Sequence, residues 1–263
     1  MEKGLVTVII PVYNGASYLE AAIDSVLSQS YNHLEVIIVN DGSTDETEAI
    51  SRKYLPSGIK HDTRVSCIFQ ENRGKLSALN TGIRSSRGEF VTFLDSDDSL
   101  PVNSLLDRAE ELKKDPGVIA VYGDATYMDR QGNPYRIRQS RPVRNKQDLV
   151  GSFRIPIVSS TLMLRREALE AMGAFETTYG PAEDLYRHML TFSIGEVKYI
   201  PTSFLNYRTY RRKNPVWRRI QTFYDHCRVI NRHFTGFEKY YLIARQLIFH
   251  TTKAGYELLT ANK

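Results

Sequence analysis

The chain has little cysteine and no long apolar run, and each shortage excludes something. Its two cysteines, Cys67 and Cys227, lack the spacing of a thiol redox pair or a zinc site. They read as buried, reduced thiols. No apolar stretch approaches the length needed to cross a bilayer. Met1-Glu2-Lys3-Gly4, followed by the short run Leu5 to Val12, lacks the build of a secretory signal, so a cytoplasmic location is expected. Neither GxGxxG nor GxxxxGK(S/T) follows the first apolar strand. The usual dinucleotide and P-loop fingerprints are therefore missing, and with them most of the case for a dehydrogenase or an NTPase. There is no internal repeat and no low-complexity segment.

What is present fits one large domain, or a domain with an appendage, in 263 residues. The net charge of +5 hides an asymmetry. From Lys198 to Lys253 there are 12 Lys and Arg against only Asp225 and Glu238, so that segment carries +10 and the remainder −5. The same stretch holds 12 of the 28 aromatic residues. Basic and aromatic residues interleaved on helices suit phosphates, nucleic acid or anionic lipid. A helical cap with an aromatic core and solvated arginines explains them equally well. Apolar stripes in the segment argue for packing first and against nucleic acid.

The first hundred residues alternate strand and helix. Strands are predicted at Leu5 to Ile10, Leu34 to Val39, Val65 to Phe69 and Phe90 to Leu94. A helix from about Ser17 opens on the capping box Ser17-x-x-Glu20 and carries the stripe Leu19, Ala22, Ile23, Val26 and Leu27. Ser43-Thr44-Asp45-Glu46 caps a second helix, and Leu76 to Ile83 lies on a third. Such alternation predicts a parallel sheet with right-handed crossovers, covered on both faces. Beyond it, the pattern predicts a helix over Pro101 to Lys114 and a strand over Val118 to Tyr122. A turn follows at Asp129 to Pro134, then a strand at Ser160 to Leu164 and a helix at Arg166 to Met172 stopped by Gly173. Asn214 and Pro215 start a further helix with the stripe Trp217, Ile220, Phe223, Tyr224, Cys227 and Ile230. The last helix follows Thr235-Gly236, with Phe237, Tyr240, Tyr241, Ala244, Leu247, Ile248 and Leu258 on one face.

Val91-Thr92-Phe93-Leu94-Asp95-Ser96-Asp97-Asp98 is an apolar strand that runs straight into three carboxylates. Acids at i, i+2 and i+3 beyond a strand end gather at the rim where open α/β sheets bind ligands. Their mutual repulsion calls for something positive, and a hard divalent cation is the usual answer. A turn capping the next helix, with Asp98 or Ser99 as N-cap ahead of Pro101, explains the same residues. Three more loops are expected at this rim. Pro11-Val12-Tyr13-Asn14-Gly15 is a strand exit whose aromatic can stack on a flat ring. Asn40-Asp41-Gly42-Ser43 either helps cap a helix or accepts a hydrogen bond from a base or ribose. Glu71-Asn72-Arg73-Gly74-Lys75 sets a helix N-terminus beside two cations, which suits a phosphate. Aromatic, carboxylate, cation and acidic cluster on consecutive strand ends make a nucleotide-diphosphate and metal site.

In combination these motifs resemble the family 2 inverting glycosyltransferases. Val8-Ile9-Ile10-Pro11-Val12-Tyr13-Asn14 is similar to that family's opening strand, and Val36 to Asp45 to its second strand and loop. Asn72-Arg73-Gly74 with Ala78-Leu79-Asn80-Thr81-Gly82-Ile83 resembles its third helix, and Asp95-Ser96-Asp97 stands at its DxD. Leu162 to Arg166 and Gly173-Ala174-Phe175 resemble the acceptor side, and Ala182-Glu183-Asp184 the motif with the catalytic base. Two departures stand out. Leu79 occupies a position where many relatives carry Arg, and Tyr207-Arg208 continues into Thr209-Tyr210-Arg211-Arg212 without the His that often follows.

The resemblance covers roughly residues 5 to 210 and implies the glycosyltransferase A fold, an α/β architecture. A Rossmann-like, mostly parallel central sheet is flanked by helices, with a C-terminal helical extension. Residues 1–210 would form the catalytic domain, with a nucleotide half over 1–98 and an acceptor half over 99–210. Residues 211–263 would form the basic, aromatic-rich extension. It implies transfer of a sugar from a nucleotide-diphosphate donor, a UDP-sugar first, to a glycan or lipid-linked acceptor, in cell-surface polysaccharide or glycoconjugate synthesis. A non-catalytic nucleotide- or glycan-binding relative is the alternative. Pro11, Val12, Tyr13, Asn14, Asp41, Asn72, Arg73, Lys75, Asp95 and Ser96 would bind the nucleotide sugar. Asp97, with Asp95, would hold Mn²⁺ or Mg²⁺. Asp184 would be the catalytic base, and Glu183, Arg208 and Arg211 would touch acceptor or diphosphate. An anionic membrane surface and a second copy of the chain are the further partners expected, with peripheral placement on the inner face of the membrane.

Overall fold

The computed structural model describes residues 1–150, 156–210 and 216–260. Two compact units divide the chain. The first takes Met1–Pro142, Ile157–Thr177 and Ile194–Tyr210, and the second Val143–Pro156, Thr178–Ser193 and Arg211–Lys263. The second unit thus includes two segments assigned from sequence to the acceptor half.

The first unit holds one mixed sheet of β1 (Glu2–Val12), β2 (Leu34–Asp41), β3 (Val65–Gln70), β4 (Gly88–Phe93), β5 (Val118–Met128), β6 (Pro134–Arg138), β7 (Met163–Arg165) and β8 (Glu196–Arg208). Its order is β3-β2-β1-β4-β7-β5-β6, with β8 also on β5. β3, β2, β1 and β4 are parallel, as their alternation with helices requires. β7 runs antiparallel to both β4 and β5, β6 antiparallel to β5, and β8 parallel to β5. The helices are α1 (Leu19–Leu27), α2 (Thr47–Arg52), α3 (Lys75–Ser85), α4 (Ser104–Lys114), α5 (Lys146–Val150), α6 (Arg166–Met172), α7 (Glu183–Ile194), α8 (Val216–His233) and α9 (Gly236–Thr260).

β1 from Leu5 onward and all of β2 are buried, because helices cover both faces of a parallel sheet. Leu19, Ala22, Ile23 and Val26 of α1 pack with Val6, Val8 and Ile10 of β1 in one apolar core. On the other face α3 lies so close to β1 that a Cβ on Gly82 would meet Ile9 Cγ2 at 2.4 Å. Arg108 of α4 is fully buried, with no carboxylate partner among the described residues. It donates to Ser104 O, Ser104 Oγ, Thr92 Oγ1 and Thr161 O at 2.8–3.2 Å. Burial lowers its pKa to about 9, since the charged form has lost its water.

Several local expectations change. The capping box at Ser17 does not form: α1 starts behind Tyr18 with no side-chain cap. Glu20 instead pairs with Lys53 at 2.7 Å and Lys60 at 2.9 Å, which lowers its pKa to about 2. α4 begins behind Asn103 rather than at Pro101, so neither Asp98 nor Ser99 caps it. Ser99 forms a bridge with Asn206, and Asp98 accepts from Arg208. The strand expected at Ser160 to Leu164 is a 3₁₀ turn, Ser159–Thr161, followed by β7. β5 runs on to Met128, and the thirteen-residue β8 was not foreseen. α6 and its stop at Gly173, with φ +71°, are as expected.

In the second unit α8 packs on α9. Val229, Ile230, Phe234 and Leu242 are buried. Ile220 and Tyr224, expected in the α8 stripe, are exposed. The face of α9 expected to pack is the exposed one: Phe237, Tyr240, Tyr241, Leu247 and Ile248 are all more than half exposed. Arg211, Arg212, Lys213, Asn214 and Pro215 lie outside the described residues, as do the side chains of Trp217, Arg218, Arg219 and Leu258.

Candidate active site

Parallel pairing of β1, β2, β3 and β4 brings their carboxyl ends to one edge of the first unit, so the four loops expected to meet do meet. β1 ends on the buried Pro11 and Val12, and Tyr13 then stands 52% exposed. Asn14 adopts φ 52°, a conformation that Asn tolerates better than most residues. It faces the second loop, donating its N–H to Ser43 Oγ at 3.0 Å and accepting from Thr44 N at 2.8 Å. A Cβ on Gly15 would meet Val12 Cγ2 at 2.5 Å and Ser96 Oγ at 3.0 Å, which sets the first loop against the acidic one. Gly42, at φ +72°, leaves no room for a Cβ beside Asn72 N at 2.7 Å. The second and third loops therefore touch backbone to backbone.

Asp41 is buried under these loops and fully engaged. It accepts from Arg73 N at 2.9 Å, Gly74 N at 2.8 Å and Gln70 Nε2 at 2.7 Å. Its carboxylate thus shapes the start of α3, leaving the Asn72 and Arg73 side chains exposed. Arg73 reaches Glu71 at 3.3 Å, and Lys75 turns inward to Asp95 at 2.8 Å.

The acidic loop is drawn tight by Asp98 N donating to Asp95 O at 3.0 Å. One carboxylate oxygen each from Asp95, Asp97 and Asp98 can be taken within 4.8 Å of the others. Asp95 has Lys75, and Asp97 accepts from the Tyr210 hydroxyl. Asp98 is 2% exposed; its Oδ1 accepts from Arg208 N at 2.8 Å, while Oδ2 is buried with no hydrogen-bond partner among the described residues. Burial first, then the neighbouring Asp95 and Asp97, hold its carboxyl well above the usual range. An orphaned buried oxygen beside two further carboxylates is the donor set of a hard divalent cation, so these residues fit Mn²⁺ or Mg²⁺.

Arg208 serves this loop as a strut. Its Nε donates to Asp97 O at 2.8 Å and an Nη to Asp129 O at 3.2 Å and Arg130 O at 2.7 Å, with the guanidinium 4.4 Å from the Tyr18 ring centre. Buried and bound to carbonyls, it braces the acidic loop from behind. Arg211 lies outside the described residues.

Glu183 and Asp184 belong to the second unit, where they open α7 and favour its dipole. Asp184 accepts from Arg187 Nη2 at 2.8 Å, with 48% of its side chain exposed while that of Arg187 is 6% exposed. Behind them Tyr179 stacks on Tyr186 at 4.3 Å. Sequence reasoning missed Gln70, Arg187 and Tyr210. Arg187 had a signal, since an Arg three residues after an acid on a helix faces it. Tyr210 had none, because only the course of β8 carries it to Asp97.

The family model for glycosyl transferase family 2 matches residues 7–173, more than half of the chain. The chain is 31% identical to the chondroitin synthase of Escherichia coli over 196 residues, 74% of this chain and 28% of that protein. It spans between about a fifth and two fifths of the first relatives it matches. Among solved structures, TarS 1–349 of S. aureus in complex with UDP-GlcNAc matches with a TM-score of 0.69 at 20% identity, over 94% of this chain and 72% of that one. Mannosyltransferase PcManGT of Pyrobaculum calidifontis, in complex with GDP-Man and Mn²⁺, matches at 0.64 and 22% identity, over 98% and 79%. At such identities the likeness speaks for the fold.

Proposed function

The chain belongs to glycosyl transferase family 2 and has the glycosyltransferase A fold, and from that premise we propose an inverting, metal-dependent glycosyltransferase. It moves a sugar from a UDP-sugar to a hydroxyl of a glycan or lipid-linked acceptor, in polysaccharide or glycoconjugate synthesis. The observation that carries this reading is the acidic loop, three carboxylates with one buried oxygen unpartnered, at the rim where Tyr13, Asp41 and Lys75 also converge. UDP-GlcNAc in the TarS complex and the name of the chondroitin synthase support the donor class and the polysaccharide product.

Each residue has a role that follows from its setting. Tyr13, exposed beyond the end of β1, offers a face to the base. Arg73, exposed at the start of α3, meets the donor's negative charge with Asn72 beside it. Lys75 pairs with Asp95 and orients it, and Pro11, Val12, Asn14, Asp41 and Ser96 shape the walls around the donor. Asp97, Asp95 and Asp98 would hold a divalent cation, which would supply Lewis-acid stabilisation of the departing diphosphate. Asp184 takes the acceptor hydroxyl proton as the acceptor oxygen bonds to the anomeric carbon and the bond to the diphosphate oxygen breaks on the opposite face. Arg187 fixes the Asp184 carboxylate for that task, and Glu183 lies beside it for the acceptor.

The test is Asp184→Asn with an acceptor panel and NMR of the anomeric centre. Wild type should give inverted product, and the variant should keep donor affinity while turnover falls about 10²–10⁴-fold. Near-normal turnover, or a retained configuration, would overturn the assignment of the base or of inversion.

A further inference from the structure

α9 is built the wrong way round for a helix that only packs. Its buried positions include Leu242 and Gln246, whereas Phe237 is 86%, Tyr240 65%, Tyr241 52%, Leu247 51% and Ile248 55% exposed. Spacings of three, four, seven and eleven residues put Phe237, Tyr240, Tyr241, Ala244 and Ile248 on one face of the helix. Water gains nothing from such a face. Cations lie against its rings: Lys239 Nζ is 5.0 Å from the Tyr240 ring centre and Arg245 Cζ 5.7 Å from that of Tyr241. In sequence, residues 211–263 hold 11 Lys and Arg against Asp225, Glu238 and Glu257, a net +8.

We infer that this face of α9 is a membrane-docking surface that lies in the headgroup region of an anionic bilayer. Three observations select lipid over a second copy of the chain. Tyr240 and Tyr241 carry an apolar body and a polar tip, the composition favoured where apolar and wet media meet. The +8 segment attracts anionic lipid, but two copies brought together on this face would set +8 against +8. No helix among the described residues is long and apolar enough to cross a membrane, so α9 lies on the surface rather than spanning it. The inference goes beyond the proposed reaction and stands without it; if the acceptor is lipid-linked, docking also confines the enzyme to the plane that holds it.

The experiment is cosedimentation of the full chain with phosphatidylcholine vesicles, with and without phosphatidylglycerol, at low and high salt. Phe237→Ser/Tyr240→Ser/Tyr241→Ser is the variant, since all three side chains are exposed and their loss leaves the packed face intact. Circular dichroism checks its folding. Wild type should bind the anionic vesicles and release them with salt. The variant should bind at least about tenfold more weakly, equivalent to about 1.4 kcal/mol. Three outcomes overturn the inference: no binding to anionic vesicles at low salt, equal binding by the folded variant, or a wild-type dimer in light scattering that the variant abolishes.

Discussion

Asp41 and Asp98 are a matched pair in different states. Each is an acid at or just past the carboxyl end of a parallel strand, 3% and 2% exposed, on the same rim of the same sheet. Asp41 accepts two backbone N–H groups and the Gln70 amide, and so is finished by the protein itself. Asp98 accepts from Arg208 N alone and leaves Oδ2 without a partner, against two further acids. The first holds loops in place; the second is completed by what binds. Burial of an acid is therefore not by itself the mark of a site. The mark is burial with the hydrogen bonding left incomplete.

That contrast can be broken by substitution, and the largest effect is expected at its functional end. Asp97→Ala should weaken Mn²⁺-dependent binding of a nucleoside diphosphate by more than about 100-fold, read by titration calorimetry. Unchanged affinity would take the metal off this loop. At Asp41 the cost should fall on the fold. Asp41→Asn turns one acceptor into a donor facing a backbone N–H, so unfolding in urea should show a loss of about 1–3 kcal/mol. A neutral result would mean that the start of α3 does not depend on the carboxylate.

Asp98→Asn should act in the opposite direction and least. Without metal it removes an acid whose charged form the buried site disfavours, while leaving an oxygen for Arg208 N, so the protein should gain stability at neutral pH. The sign follows from the raised pKa. Below about pH 4 the carboxyl is protonated folded and unfolded, and the gain vanishes. As pH rises, the folded form keeps its proton longer, so wild type loses stability relative to the variant until the folded pKa is passed. Thermal melts across pH test this, and with Mn²⁺ present the order should reverse, because the variant has lost a ligand. A destabilised metal-free variant would show that Asp98 is structural, like Asp41.

The parallel half was legible because its rules are local. Apolar runs such as Val36 to Val39, with helical stripes between them, dictate βαβ crossovers, and Asp95, Asp97 and Asp98 follow from one strand end. Helix starts were less legible, since Ser17 and Glu20 satisfy a capping pattern that tertiary pairing with Lys53 and Lys60 overrides. Partners distant in sequence were not legible at all. Arg208 and Tyr210 reach the acidic loop only through β8, whose alternation gave little signal. Whether the α9 stripe packs or faces outward stays open in the sequence, because periodicity gives the stripe and not the medium it meets.

The contact from Arg208 to Asp98 spans 110 residues of chain. A ribosome adding about 5–20 residues per second needs roughly 5–20 s to make that interval. Through that time the nascent protein can fold its first four strands and helices, whose contacts are close in sequence, while the acidic loop lacks its strut. Order of synthesis thus separates building the nucleotide rim from closing the loop, and a chain cut before β8 would keep the first and lack the second.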